Sequence, residues 1–362
     1  MASSLDMITI EGFKSIQSLT GFQLGRLNLL VGANGAGKSN FVDFFRLLRA
    51  VADDRLGSFV LEHGKADTFL FNGPKVTELI LAQLTFGANE CGINLKATVT
   101  GELIVAAEFG AYTKGGPWDA STSDPSQSGV RGSMGLGSRT APWAETLSKL
   151  TVYHFHDTSY TAGMRREQSL RDFRELRPDA GNVAAFLHHL KAGDQDRYEQ
   201  IRYHLQLIAP FFDDFLLEPQ ERGPEEVIRL EWRQKGSSTP LQPHQFSDGT
   251  MRFICLATTL LQPDPPPTIL IDEPELGLHP FALGVLASLL RQASSRTQII
   301  VSTQSAPLLD TFEPEEVIIV DRVQGASRFR RLEAEPLQAW LEDYSLGQLW
   351  QKNVIEAGPV HE

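Results

Sequence analysis

Residues 32–39 read GANGAGKS, a glycine-rich run that closes on Lys38 and Ser39. The spacing fits G-x-x-x-x-G-K-[ST], in which backbone N–H groups wrap phosphates, the lysine neutralises them and the hydroxyl ligates a divalent cation. Gly35 and Gly37 permit the tight curvature, and the positive end of a helix starting at Lys38 favours bound negative charge. A second candidate lies at residues 268–274, TILIDEP, an apolar run ending in two acids. Asp272 at the strand end suits a Mg2+ shell, and Glu273 beside it suits polarisation of an attacking water. Alone, this pair is also compatible with a plain strand-to-turn boundary. The phosphate loop in the same chain favours the chemical reading.

These groups need elements to position them. Residues 7–18 and 26–31 read as strands, the second apolar enough to be central, and 40–52 carry apolar positions at helical spacing. That strand, loop, helix order is what a phosphate-binding loop requires. Residues 75–86 and 93–109 are partly alternating runs joined by GANECG, which predicts an antiparallel hairpin or meander. Residues 110–143 are rich in Gly, Ser, Thr and Pro and read as a mobile loop. The pattern predicts helices between 160 and 212, with strand returning at 227–234. An apolar helix at 251–261 and a PDPPP turn follow. Strands at 268–272, 298–302 and 317–321 then alternate with a helix at 281–292, implying a parallel sheet.

Of the 362 residues, 41 % are apolar and 22 % charged, which excludes a wholly disordered chain and suits one large two-lobed unit. The net charge of −12 means that any nucleic-acid contact needs a local basic patch. No stretch is apolar enough to span a bilayer, and MASSLDMITIEGF lacks the basic-then-apolar pattern of a secretory signal. No membrane partner and a cytoplasmic location are expected. Cys91 and Cys255 lack CxxC spacing and are expected to be buried thiols, not a disulfide or zinc site.

Residues 246–253 (FSDGTMRF) precede the apolar helix at 251–261. By itself this is an ordinary N-capped helix start. The order of phosphate loop (Walker A), long insertion, Ser-x-Gly turn, proline-rich bend and acidic strand (Walker B) resembles the ABC ATPases. It is closer to the SMC, RecF and OLD group than to transporter subunits. The resemblance spans nearly the whole chain apart from 110–143 and includes GFKS (Gly12 to Ser15) and PELGLHP (274–280). STQSAPLLD and HFHDTS look most like small stand-alone bacterial ATPases discussed with phage defence and lysogeny.

The resemblance implies an α/β P-loop NTPase fold: an ABC ATPase head with a mixed or parallel sheet core, an antiparallel β subdomain and an inserted helical lobe. The expected organisation is an N-terminal ATPase lobe at 1–110, a flexible loop at 111–143, a helical or mixed lobe at 144–245 and a C-terminal ATPase lobe at 246–362. ATP and Mg2+ are the implied cofactors. Lys14, Ser15, Asn34, Gly35, Ala36, Gly37, Lys38, Ser39 and Asn40 would hold ATP, and Ser39 and Asp272 would ligate Mg2+. Glu273, Lys38 and Gln304 would act in catalysis. Ser247, Asp248, Gly249 and Thr250 would form the signature turn that meets the γ-phosphate bound by a second subunit. The implied assembly is a homodimer or higher even oligomer with a DNA-related role, served by a separately encoded nuclease or toxin effector.

Two departures qualify this expectation. Gln304 stands at the switch-histidine position, and Asp248 stands where many signatures carry a second glycine. A glutamine hydrogen-bonds but does not change protonation near neutral pH, so slow or partner-dependent hydrolysis is expected. An ATP-gated sensor or scaffold with little hydrolysis is the rival. A transporter subunit would show a fuller signature and a switch histidine, and an OLD-type nuclease would carry a TOPRIM domain.

Other features have plainer readings. His154 and His156 share a strand face with Asp157 beyond, which allows a metal site, although a structural strand end is the favoured reading. His188 and His189 are placed after a helix, at the surface. Gln83 is either a Q-loop residue or a solvent-facing strand residue. Arg165, Arg166, Arg171, Arg174 and Arg177 fall in the predicted helical segment, forming either a solvated or intramolecularly salt-bridged face or a DNA or partner-protein surface. Arg328, Arg330 and Arg331 are expected on an exposed edge strand. Leu346, Leu349 and Trp350 are spaced to pack a C-terminal helix on the core, with a docking site for a second protein as the alternative.

Overall fold

The computed structural model describes residues 4–112, 116–120, 147 and 149–355. Two compact units result. One contains the chain up to Val152, Pro266–Leu270 and the chain from Thr297 on; the other contains Tyr153–Pro265 and Ile271–Arg296.

In the first unit the N-terminal strands are β1 (Met7–Phe13), β2 (Ile16–Gln23) and β3 (Leu27–Val31). There follow β4 (Leu79–Phe86), β5 (Asn89–Ala97), β6 (Leu103–Tyr112) and β7 (Gly116–Ala120). An antiparallel sheet takes the order β2-β1-β4-β5-β6-β7. The region read as one run at 93–109 is two strands, because Gly101 at φ +84° turns the chain between Ala97 and Leu103. Within the segment read as a loop, Gly116–Ala120 pairs with β6; 113–115 and 121–143 lie outside the described residues.

β8 (Thr151–Tyr153), β15 (Thr268–Asp272), β16 (Gln298–Thr303), β17 (Val317–Val323) and β18 (Ala326–Arg331) join β3 in a second sheet, ordered β18-β17-β3-β16-β15-β8. β3 is parallel to both β16 and β17, and all five of its residues are buried. Such two-sided burial explains its unbroken apolar sequence, LNLLV. The helix Lys38–Ala52 buries Phe41, Phe44, Phe45 and Leu48 at helical spacing. Phe44 meets Phe13 of β1 edge-on at 5.4 Å, and Phe41 meets Phe329 of β18 at 5.4 Å. One aromatic core thus sits beneath the phosphate loop. At the C-terminal end, the short helix Leu346–Gln351 buries Leu346 and Leu349 as its spacing predicts.

The second unit holds the helices Val183–Gly193, Gln195–Ile208, Asp248–Leu261 and Pro280–Ser294. Its two small sheets comprise β9 (Gln168–Ser169), β11 (Gln220–Arg222) and β12 (Glu225–Ile228), and β10 (Phe212–Leu216), β13 (Glu231–Gln234) and β14 (Pro240–Leu241). The single strand predicted at 227–234 is therefore split between sheets. The helical reading of 160–182 is also corrected. These residues form turns, the 3-10 turn Gly163–Arg165 and β9. Fully buried Asn182 organises the loop instead: it donates to the carbonyls of Asp172 (3.0 Å) and Glu175 (2.8 Å) and accepts from the Arg177 N–H (2.9 Å). Side-chain bonds of this kind offer the backbone an alternative to a helix. The five arginines consequently share no helix face. His188 and His189 lie within a helix, not after one.

Both cysteines are buried thiols, and burial pushes both well above their ordinary range. Among the described residues, no helix is long and apolar enough to cross a membrane.

Candidate functional site

In the first unit, β3 ends at Val31 and the loop begins at buried Gly32. Gly37, at φ +116°, precedes the first helical residue, Lys38. A positive φ is accessible to glycine at little cost, and it is the bend that starts this helix. Lys38 is 4 % exposed, and its ammonium donates back to the carbonyls of Gly32 (2.6 Å) and Ala33 (3.1 Å). A buried ammonium needs such partners. Asn34, Gly35 and Ser39 are exposed, so the outer side of the loop faces solvent.

The GFKS corner is brought to the same place. Lys14, itself at φ +47°, reaches Asp43 of the following helix at 2.7 Å, and Asn40 donates to the Ser15 hydroxyl at 2.6 Å. The Ser15 and Ser327 hydroxyls are 2.6 Å apart, and Ser327 donates to the Ala36 carbonyl at 2.6 Å. Gln304 follows β16, whose Thr303 pairs with Val31 in parallel register. Exposed Gln304 and the loop therefore leave the same edge of the sheet. Gln83 lies elsewhere, on β4, where its amide donates to Glu90 across the strand pair. A Q-loop role finds no support in that contact.

In the second unit, Asp272 ends β15 and is 8 % exposed, with its Oδ1 buried and without a hydrogen-bond partner. An unsatisfied buried carboxylate oxygen is costly, and a hard cation such as Mg2+ would satisfy it. Glu273 follows at φ +46°. A glutamate in this left-handed region costs on the order of 1–3 kcal/mol, a strain that concentrates at functional sites. His156 holds the turn, its Nε2 lying 3.1 Å from the Asp272 carbonyl oxygen.

The signature turn lies in the same unit. The Ser247 hydroxyl accepts from the Thr250 N–H at 3.1 Å and caps the helix Asp248–Leu261. Such a cap contributes about 1 kcal/mol. A Cβ on Gly249 would meet the Gly277 carbonyl oxygen at 2.2 Å, so the turn after Walker B packs directly on the signature helix. Arg252 ties both to the preceding strand end. It donates through Nη1 to Leu276 (2.7 Å), through Nε to Phe155 (3.0 Å) and through Nη2 to His156 (3.0 Å), all at carbonyls.

Sequence reasoning missed Arg252 and Ser327. Arg165 takes the intramolecular salt-bridged alternative: its side chain is 5 % exposed and paired with Asp248 at 2.8 Å. A charge in the sequence names neither the partner nor the burial. The metal site imagined at His154, His156 and Asp157 does not form. Among the described residues no three His, Cys, Asp or Glu side chains gather for a metal, and the two imidazoles are tilted at 48° with centroids 4.0 Å apart. Arg331, expected at an exposed edge, donates to the Gln23 carbonyl and the Asn28 side chain, and burial lowers its pKa below the ordinary arginine value. Arg328 remains exposed.

These features agree with comparisons to known proteins. No curated protein matches the chain. Residues 27–100 and 137–310 match the family described as "AAA domain, putative AbiEii toxin, Type IV TA system". Among solved structures, an SMC head bound to the C-terminal winged-helix domain of ScpA superposes with a TM-score of 0.62 at 14 % identity, covering 93 % of this chain and 99 % of that one. An SMC head with an extended coiled coil, bound to the C-terminal domain of ScpA derived from Pyrococcus furiosus, gives 0.54 at 15 %, covering 94 % and 99 %. Identities this low speak for the fold alone. The chain belongs to this AAA-domain family and has the SMC-head-like fold of a P-loop ATPase.

Proposed function

We propose that this protein binds ATP with Mg2+, closes as a dimer around the nucleotide and hydrolyses it slowly. The observation that carries the reading is the phosphate loop itself: a left-handed Gly37, a helix starting at Lys38 and an exposed Ser39 hydroxyl beside it. Loop N–H groups and Lys38 would hold the phosphates, with Asn34, Gly35, Ala36 and Asn40 shaping the loop and Lys14 and Ser15 bracing its helix. Ser39 and Asp272 would be the Mg2+ ligands, and the buried, unpartnered Asp272 Oδ1 supports the choice. When bound, Mg2+ would supply charge neutralisation at the phosphates. Glu273 would accept a proton from the attacking water, and Gln304 would hydrogen-bond the γ-phosphate or that water.

Ser247, Asp248, Gly249 and Thr250 would act in trans, on ATP held by a second copy. Ser247 and Asp248, at the start of this helix, are exposed, and a helix N-terminus favours an incoming anion. The ATP cycle would drive or gate a separate effector with a DNA-related role in defence or repair; the toxin–antitoxin description of the family favours a toxin or nuclease.

A second reading, an ATP-gated scaffold with little hydrolysis, is favoured by Gln304 in place of a switch histidine. Turnover measured with and without DNA, together with molar mass with and without ATP, separates the two. ATP-dependent dimerisation with measurable turnover supports the enzyme; dimerisation with none supports the scaffold. A protein that stays monomeric with ATP would refute both.

A further inference from the structure

We infer that the hairpin β17–β18 is a strap that positions the phosphate loop, with Ser327 as its principal positioning residue and Arg322 as an outer hold. The inference rests on the nucleotide-binding reading above. It concerns one compact unit and three contacts along the length of the loop.

The hairpin is tight: Gln324 and Gly325 both have positive φ, +50° and +77°, as a two-residue primed turn requires. On one side of this turn, a Cβ at Gly32 would fall 2.1 Å from the Val320 carbonyl oxygen. Next along the loop, Arg322 donates through Nη1 to the Gly35 carbonyl at 3.3 Å. On the other side, Ser327 donates to the Ala36 carbonyl at 2.6 Å, and a Cβ at Gly37 would lie 2.0 Å from its hydroxyl. Gly32 and Gly37 are thus demanded by the approach of the hairpin as well as by any phosphate.

The hydroxyl bonds have a fixed direction. Ser327 has one proton, which goes to the Ala36 carbonyl, so the 2.6 Å bond to Ser15 must be donated by Ser15. Ser15 in turn accepts from Asn40 at 2.6 Å. The result is a one-way chain, Asn40 to Ser15 to Ser327 to the Ala36 carbonyl, closing the start of the helix onto its own loop. Ser327 is 1 % exposed, so solvent has no access to replace its hydroxyl. In a planar trans peptide, C=O and N–H point in opposite directions. Holding the Ala36 carbonyl toward the hairpin therefore turns the Gly37 N–H away from it, to the side from which phosphates approach.

Equilibrium binding of a fluorescent ATP analogue with Mg2+ to the full chain, paired with thermal unfolding without nucleotide, tests this. Ser327→Ala should weaken binding about tenfold, equivalent to about 1.4 kcal/mol. Arg322→Ala, at an exposed position, should weaken it about threefold and leave the unfolding midpoint unchanged. A lowered midpoint with unchanged affinity would make Ser327 merely structural and overturn the inference, as would unchanged affinity in both variants. Should Ser327→Ala fail to fold, Arg322→Ala decides alone, and wild-type affinity in it refutes the strap. Failure of the wild-type protein to bind the analogue would instead sink the nucleotide-binding reading.

Discussion

Arg165 Nη2 lies 2.8 Å from Asp248 Oδ1, and the same guanidinium donates to the carbonyls of Pro243 (2.6 Å), Phe246 (3.2 Å) and Thr158 (2.8 Å). The aspartate that departs from a glycine-rich signature is therefore matched by a cation whose main task is to hold three backbone carbonyls. These contributions are unequal. The Arg165 side chain is 5 % exposed and that of Asp248 is 65 % exposed. Removing Arg165 leaves buried acceptors unsatisfied, so Arg165→Ala should cost about 2–3 kcal/mol in denaturant unfolding. Asp248→Asn breaks only a solvent-screened pair and should cost less than about 1 kcal/mol. Equal losses in the two variants would contradict this division.

Gly249 tests the packing of the signature helix on the turn after Walker B. An alanine methyl would be driven against the Gly277 carbonyl oxygen, and Gly277, at φ +73°, has little freedom to give way. Gly249→Ala is expected to cost about 1–3 kcal/mol from overpacking. ATP turnover should fall at least as steeply as stability, while affinity for ATP, which depends on the phosphate loop, stays near wild type. Isothermal titration beside a phosphate-release assay separates these quantities.

Glu273→Gln keeps the shape of the side chain and removes its basicity. Turnover should drop by about 10²-fold or more, with ATP affinity little changed. Lys38→Ala should instead abolish measurable ATP binding, since it removes the charge proposed to hold the phosphates. Full turnover in Glu273→Gln would remove the proposed base.

Asp214 makes a prediction about acid stability. Burial alone would raise its pKa, but hydrogen bonds from Lys191 Nζ (2.8 Å) and Tyr198 OH (2.6 Å) outweigh it and hold the carboxyl below its ordinary value. A carboxylate with a folded-state value below its unfolded one stabilises the fold above the unfolded value and loses that contribution as pH falls through the folded one. Asp214→Asn should therefore lower the unfolding midpoint at neutral pH, and the gap from wild type should close below about pH 4. A gap that stays constant down to pH 3 would rule out the ionised pair as its cause.

Local sequence marked the candidate segments and the elements next to them: the strand, loop and helix around Lys38, the apolar strand ending in Asp272 and Glu273, and the capped helix beginning at Ser247. Each of these is local. A glycine's permitted φ, a helix's exposed N–H groups and the apolar run of a central strand are written in a dozen consecutive residues. Where a local pattern had a side-chain competitor the reading failed, as at 160–182, where Asn182 satisfies the loop carbonyls and no helix forms. Which distant residues brace those segments follows from packing. Arg165 meets Asp248 across 83 residues, and Ser327 meets Ala36 across 291. A serine or an arginine carries no periodicity that announces a partner so far along the chain. Its role arises from burial beside a particular carbonyl or carboxylate, and burial is a property of the packed fold.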